Sequence, residues 1–502
     1  MNLIDLFRIN FVTRADKIAL RFEDRALTFG ELDTQSNRIA HAFQRLGLKR
    51  GDRFGFYLGN SVELILAHLA NLKLGLVLVP MNTQYRDLEI THMVNDAEPR
   101  VILTDQAQAQ ILEPLRPQLK SVEHVLLAEK LNTLIARESA EAMDVRVDGD
   151  NLAAIMYTSG TTGRFKGAML SHDNFVANIT GLANAWAWAA NDTLLLALPL
   201  FHAHGLAVAL NGALTVGCTT ILHRSFRADR ALDALMNENV TLFMGVPTMY
   251  VRLIEEATKR DLNRVQLPQM RLFVSGSAPL SVETFERFEI LFGHKILERY
   301  GMTETVMNIS NLYAGARIPG TVGVPLPGIT ARVGDERGNA LPDGKIGEIL
   351  LRGSNVFQGY WRAPEKTADA FITDTEGNRW FRTGDLGKCD PTNGYLTLLS
   401  RRSDLIISGG YNIYPREVEE LLLTHPAILD VAVVGAHDTT LGEVPIAFAV
   451  CRLGQVARPE DLIEFCGAHL ARYKIPRTIT FLDALPRNAM GKVEKQKLKS
   501  NQ

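Results

Sequence analysis

Tyr157-Thr-Ser-Gly-Thr-Thr-Gly-Arg-Phe-Lys-Gly-Ala168 packs hydroxyls, glycines and two cations into one short segment. It follows an apolar run, Leu152 to Met156, that reads as a strand. A helix start comes after it, with Ser171 as N-cap and Asp173 in the first turn. Glycines let backbone N–H groups approach a phosphate, and the hydroxyls and Lys166 add donors. The segment therefore reads as a loop that cradles the phosphates of a nucleotide. It is not a Walker A loop, which needs Gly directly before the Lys and Ser or Thr directly after. Here Phe165 precedes Lys166 and Gly167 follows it. A polar surface loop has the same composition, so the rest of the chain has to decide.

Outward from this loop, short apolar runs alternate with helical patterns. Strands are expected at Phe54–Leu58, Val101–Thr104, His124–Ala128, Leu194–Leu198, Thr219–Leu222, Leu242–Gly245 and Arg271–Ser275. Such alternation predicts an α/β fold with two parallel-rich sheets covered by helices. After about residue 320 the pattern changes: Gly320, Gly323, Pro325, Pro327, Gly328, Gly334, Gly338, Pro342 and Gly344 punctuate short strands. A small β-barrel subdomain over about 320–399 is expected there, closing a large domain of residues 1–399. Ser400-Arg-Arg-Ser-Asp404 reads as a hinge, and residues 405–502 as a small mobile α+β domain. In that domain Pro415 opens a helix, strands fall at Asp430–Val434, Pro445–Cys451 and Thr478–Leu482, and a helix runs from Pro459 to Leu470.

With 502 residues the chain is too long for one core, since single cores rarely exceed ~250–300 residues. It is 46% hydrophobic and 22% charged, as soluble globular proteins are. The net charge of −2 gives no field for nucleic acid or a membrane surface. Cys218, Cys389, Cys451 and Cys466 are scattered without CxxC spacing, which argues against a disulfide framework or zinc site and fits a reducing compartment. No secretory signal or membrane-length apolar run is visible. A cytoplasmic location is the expectation.

Further segments place polar groups where a nucleotide enzyme needs them. Ser275-Gly-Ser-Ala-Pro-Leu280 follows a strand, and its small residues permit close approach of a flat ring. In Glu298-Arg-Tyr-Gly-Met-Thr-Glu-Thr305, Thr303 offers a hydroxyl to a phosphate and Glu304 a hard oxygen ligand suited to Mg²⁺. A capped helix start has the same composition. Asp385 in Trp380-Phe-Arg-Thr-Gly-Asp-Leu-Gly387 can accept from two ribose hydroxyls or cap a turn. Arg401 can pair with ribose or phosphate, and Gly491-Lys492 sits near the C-terminus.

In this order, the segments resemble the adenylate-forming superfamily of acyl-CoA synthetases, adenylation domains and luciferases, from about residue 15 to the end. The resemblance implies that Thr158, Ser159, Gly160, Thr161, Thr162, Gly163 and Lys166 form the phosphate loop. It implies an adenine loop at Ser277, Ala278 and Pro279, and a nucleotide-binding motif over Glu298, Tyr300, Gly301 and Met302. Asp385 and Arg401 would hold the ribose, with Thr303, Glu304, His202 and Lys492 as catalytic residues. ATP, Mg²⁺ on Glu304 and coenzyme A are the implied cofactors. The implied chemistry is acyl-adenylate formation with loss of pyrophosphate, then thioester formation with loss of AMP. Between the halves the C-terminal domain of the family rotates, and the loop at Gly409, Gly410 and Tyr411 would line the pantetheine channel.

Three departures from the family pattern stand out: Ser403 at the pivot, Ser400 in place of a Gly, and Phe165 before the loop Lys. They bear on the speed of rotation and of thioester formation. The acid is read from Arg299 and Arg252, with His202, His204 and Ser277 nearby. A buried Arg is costly unless paired, and the second carboxylate of a dicarboxylic acid supplies a partner. With Pro199-Leu-Phe-His-Ala-His-Gly205, these residues look like malonyl-CoA synthetases, so malonate or methylmalonate is the expected substrate. The rival expectation is a CoA ligase for a short- or medium-chain fatty acid or an aryl acid. Alternatively, Arg252 pairs with Glu255 or Glu256 on its own helix. A carrier-loading module, a luciferase-type oxygenase and a non-catalytic binding protein are the readings from other classes. The last is expected to lack one of Lys166, Glu304, Asp385 or Lys492, and all four are present.

Overall fold

The structure of the chain, a computed structural model, describes residues 1–159, 165–488 and 491–499. Within them the strands form four sheets. The largest has nine strands. Its centre runs Ile296–Tyr300, Leu272–Ser275, Leu242–Gly245, Thr193–Leu196, Thr219–Leu222 and Ile18–Phe22, all paired in parallel. Leu242, Phe243, Met244 and Leu272, Phe273, Val274 are buried throughout. Continuous apolar runs of this kind suit parallel strands covered on both faces by helices. A seven-stranded sheet holds Val77–Pro80, Arg53–Tyr57, Val101–Thr104 and His124–Leu127 in parallel, with Leu152–Ser159 beside Val77–Pro80.

A barrel is expected over 320–399. The strands Ile329–Gly334, Gly347–Gly353, Arg379–Cys389, Phe371–Thr373 and Leu396–Arg401 instead form an open antiparallel sheet. Ile329–Gly334 is one edge, Phe371–Thr373 and Leu396–Arg401 share the other flank of Arg379–Cys389, and among the described residues the first strand pairs with neither of them, so the ring is not closed.

After Leu396–Arg401 comes one 3-10 turn, Arg402–Asp404. Arg402 reaches back to Glu336 and Glu348, while Ser403 is exposed. Beyond it, Ile428–Asp438 and Gly442–Cys451 make a long antiparallel hairpin, joined by Ile406–Ser408, Tyr411–Ile413 and Ile479–Phe481. The helices Pro415–Leu423 and Pro459–His469 cover it, each with Pro at its start. This small, mainly antiparallel domain has apolar clusters of its own around Ile406, Val433 and Phe448. Among the described residues no helix is long and apolar enough to cross a membrane.

The register of the large sheet positions the site. Gly245 pairs with Ser275, and Ser275 with Glu298. Two parallel strands therefore end level, at Gly245 and Ser275, the third runs two residues further to Tyr300, and residues 246–252, 276–281 and 301–304 leave the same end of the sheet. In open α/β sheets this end is where ligands bind.

Candidate active site

Asp385 lies at the centre of the site. It faces Arg401 across the Arg379–Cys389 and Leu396–Arg401 pair. Tyr300 donates its hydroxyl to Asp385 Oδ2 at 2.6 Å, and Arg401 Nε stands 3.2 Å from Asp385 Oδ1. Thr383 steadies the turn: its hydroxyl donates to the Ile349 carbonyl and accepts the Asp385 N–H. Asp385 raises the affinity of Arg401 for its proton, and burial pushes the Tyr300 phenol well up.

Lys492 approaches the same centre from the C-terminal domain. Its N–H donates to Asn488 Oδ1, and its carbonyl accepts from the Asn488 N–H. Gly491 turns the chain at φ +72°, and a Cβ there would stand 2.6 Å from Thr248 Oγ1. The turn therefore rests against the helix Pro247–Lys259. Burial, then Arg401, push the Lys492 ammonium down to about 8, against Asp385 and Asp404. Ala489 and Met490 lie outside the described residues.

The decisive loop is the tip of an antiparallel hairpin, Leu152–Ser159 with Phe165–Ser171, in which Thr158 faces Lys166. The strand character extends past Met156 on both sides of the loop. The expected helix follows, His172–Ala185, capped by Ser171. Gly160, Thr161, Thr162 and Gly163 lie outside the described residues, as does the Ser159 side chain. Lys166 Nζ sits 5.3 Å from the centre of the Tyr360 ring. The Tyr360 hydroxyl donates to Glu304 Oε1 at 2.9 Å. The Phe165–Ser171 strand and the Thr303–Glu304 turn are thus joined through Tyr360. Phe165 packs edge-on against Tyr85, with centroids 5.2 Å apart, which accounts for the aromatic residue before Lys166.

Residues 301–306 form turns rather than a capped helix start. Gly301 is required here because a Cβ would lie 2.1 Å from the Val306 carbonyl oxygen. Met302 and Thr303 are half-buried, whereas Glu304 is buried and burial raises its carboxyl.

One wall is built around Arg299. Its guanidinium is buried, and Nε and Nη2 have no partner among the described residues. Gly276 makes room for it, since a Cβ there would come within 2.4 Å of Arg299 Cζ. Burial pushes Arg299 down to about 9, which leaves it a cation at neutral pH. Burial and the Arg299 charge push His202 down to about 4 and His204 well below its usual value, so both rings are neutral. His204 Nδ1 is 3.4 Å from Ser277 Oγ, while its Nε2 is buried without a partner among the described residues. His204 opens a π-helical stretch, His204–Leu210, a geometry frequent at functional sites. Ser277 has φ +69°, with Ala278 partly buried and Pro279 exposed after it. Glu298 Oε1 accepts the Leu280 N–H at 3.2 Å and so ties down the end of this segment. Burial pushes Glu298 up to about 7.

Arg252 differs from expectation. It is exposed, not buried beside Arg299, and stacks over Phe226 at 5.4 Å. Nor does it pair with Glu255 or Glu256: Glu256 is taken by Arg260 and Lys259, and Arg252 is in no ion pair among the described residues. Gly409 and Gly410 form the two-residue turn between Ile406–Ser408 and Tyr411–Ile413, both at positive φ. Tyr411 is exposed and stacks on Tyr473. Tyr360 is a neighbour of the site that no motif pointed to. For Tyr360 the available signal was an aromatic pair after Gly359.

Comparison with known proteins gives this geometry a family. Residues 7–361 match the AMP-binding enzyme family, and residues 417–492 its C-terminal domain. A mitochondrial malonate–CoA ligase of Mus musculus is 36% identical, over 96% of this chain and 88% of that protein. A long-chain-fatty-acid–CoA ligase of Bacillus subtilis is 32% identical, over 96% and 91%. The crystal structure of ATP-bound MatB from Rhodopseudomonas palustris is 39% identical and superposes with a TM-score of 0.93, over 100% of this chain and 99% of that one. A fold, an ordered set of motifs and two matching domains lead to one statement: the chain belongs to the AMP-binding enzyme family.

Proposed function

We propose that the chain is an ATP-dependent, AMP-forming acid–CoA ligase whose acid is malonate. A carboxylate oxygen attacks the α-phosphorus of ATP, the bond to the β-phosphate oxygen breaks, and pyrophosphate leaves with the bonding pair. The thiol of coenzyme A then attacks the acyl carbon of the adenylate and displaces AMP. Thr158, Ser159, Gly160, Thr161, Thr162, Gly163 and Lys166 hold the terminal phosphates. Ser277, Ala278, Pro279, Tyr300, Gly301 and Met302 hold the adenine, with Glu298 fixing the loop. Asp385 and Arg401 hold the ribose. Lys492 lies against the α-phosphate and the reacting carboxylate, where a positioned cation is worth roughly 10²–10³ in rate. Thr303 adds a hydroxyl beside it.

Glu304 fits Mg²⁺. It is a single buried carboxylate anchored by Tyr360, and no group of three or more His, Cys, Asp or Glu among the described residues could hold a metal alone. Such a site suits a cation that takes its other ligands from substrate phosphates and water. When bound, the ion would neutralise phosphate charge.

The observation that carries the malonate reading is the unpaired Arg299. Two guanidinium nitrogens without acceptors among the described residues cost about 1–3 kcal/mol each, more because they are charged. The distal carboxylate of malonate supplies the missing acceptors in a fork geometry. His202 and His204, held neutral, add hydrogen bonds without adding charge, and Ser277 adds a hydroxyl. Arg252 is the second guanidinium in this reading. It is exposed and lies over Phe226, so in this reading it would have to leave that ring to meet the acid. Gly409, Gly410 and Tyr411 are assigned to the pantetheine channel.

The test is a panel of acids with ATP, Mg²⁺ and CoA, following AMP and thioester together. Malonate is expected to turn over well ahead of butyrate, octanoate and benzoate. Octanoate or benzoate as the best substrate would support instead a ligase for a short- or medium-chain fatty acid or an aryl acid.

A further inference from the structure

We propose that Arg452 and Glu283 form the ionic contact that seats the C-terminal domain and thereby positions Lys492 for adenylate formation. The inference rests on the reading of Lys492 given above. Lys492 belongs to a domain connected to the rest of the chain by one crossing, through Arg402–Asp404. A single covalent crossing leaves the orientation of that domain to its non-covalent contacts.

Among the described residues few contacts serve. Gly491 abuts Thr248, and Arg416 Nη1 donates to the Leu398 carbonyl at 3.1 Å. One ion pair between described residues joins the segments before and after the crossing: Arg452 Nη2 lies 2.6 Å from Glu283 Oε1 and 2.5 Å from Oε2. Both ends are held in place. The Arg452 N–H donates to the Ala427 carbonyl at the end of the long hairpin. Glu283 is in the first turn of the helix Val282–Phe292, capped by Ser281 directly after the Ser277–Leu280 segment. The contact therefore ties the C-terminal sheet to the helix that starts where the adenine loop ends.

Both side chains remain partly in water, at 24% and 35% exposure, and Glu283 also has Arg287 at 3.5 Å. A pair of this kind is weak and sensitive to salt. It is a positioning pair, distant from the reacting atoms, and its loss should slow adenylation without weakening ATP binding.

The experiment is rapid-quench measurement of pyrophosphate formation at saturating ATP and malonate without CoA, alongside the ATP dissociation constant. Arg452→Gln and Glu283→Gln should each slow the step about three- to five-fold with ATP binding unchanged, and Arg452→Lys should recover most of the loss. Raising ionic strength should slow the parent enzyme and leave Arg452→Gln nearly unaffected. Parental rates in both Gln variants would overturn the proposal, as would a loss seen equally in Arg452→Lys or in ATP affinity. Lys492→Ala separates the two ideas. If it abolishes pyrophosphate formation while Arg452→Gln does not slow it, the seating role alone is lost. If Lys492→Ala is unimpaired, the reading of Lys492 itself fails.

Discussion

Arg299 is costly to the protein that carries it. Two of its nitrogens are buried without acceptors among the described residues, and Gly276 leaves just the room the guanidinium occupies. Replacing a buried, uncompensated charge by an apolar side chain of similar length relieves that cost. Arg299→Met should therefore raise the stability of the free protein by about 1–3 kcal/mol in denaturant titrations while raising the KM for malonate roughly 10–100-fold. A fall in stability, or equal effects on malonate and a monocarboxylate, would make Arg299 structural. Lys492 carries a pH signature. Burial lowers it to about 8, so the cation is present below that pH and is lost as pH rises through it. In the free enzyme kcat/KM for adenylation should fall above about pH 8, and bound triphosphate should move the limb of kcat upward. Lys492→Ala should abolish pyrophosphate release with ATP binding nearly intact. The sequence singled out Lys492, Glu304 and Asp385 as candidates, and the structure brings Asp385 close enough to act on the charges of the other two. Their partners were not legible. That Tyr360 bridges Lys166 and Glu304, or that Arg252 is exposed over Phe226, depends on contacts between segments far apart in the chain.

At the scale of elements the chain was largely readable. Val101–Thr104, Thr219–Leu222 and Leu242–Gly245 fall where their apolar runs end, because a strand buried on both faces must be apolar throughout. The helix Pro415–Leu423 starts at its proline for the same local reason. The β subdomain was less readable, since glycine spacing marks turns but does not say whether the outermost strands meet. Gly409 and Gly410 show the same limit. Their left-handed backbone serves a tight turn, which the sequence reads equally well as room for a ligand. Gly301 gives the sharpest test of a single element. A methyl group there meets the Val306 carbonyl oxygen at 2.1 Å, and backbone cannot move aside as a side chain can. Gly301→Ala should cost ~1–3 kcal/mol or more in stability and disorder the Thr303–Glu304 turn, visible as lost turnover at temperatures where the protein is still folded. Parental activity would show that the turn is not packed as described.

At the scale of the whole molecule the two domains meet with Lys492 turned toward Asp385 and Arg401, an arrangement that suits the first half-reaction. The second half-reaction requires CoA to reach the acyl carbon, and residues 400–404 are the proposed pivot. Arg402 is anchored to Glu336 and Glu348, while Ser403 is exposed and its hydroxyl donates to Asp404 Oδ1 at 3.4 Å. Ser403→Asp or Ser403→Lys should therefore change CoA-dependent turnover more than pyrophosphate release. Equal effects on both, or none, would move the pivot elsewhere. Composition suggests a break near residue 400, but it says nothing of the contact between Arg452 and Glu283, which lie in no motif. Everything in the account depends on which bond of ATP is broken. Phosphorus NMR of a complete mixture of ATP, Mg²⁺, malonate and CoA resolves it directly: AMP and pyrophosphate should appear together, in step with thioester, whereas ADP and orthophosphate as the products would contradict the account.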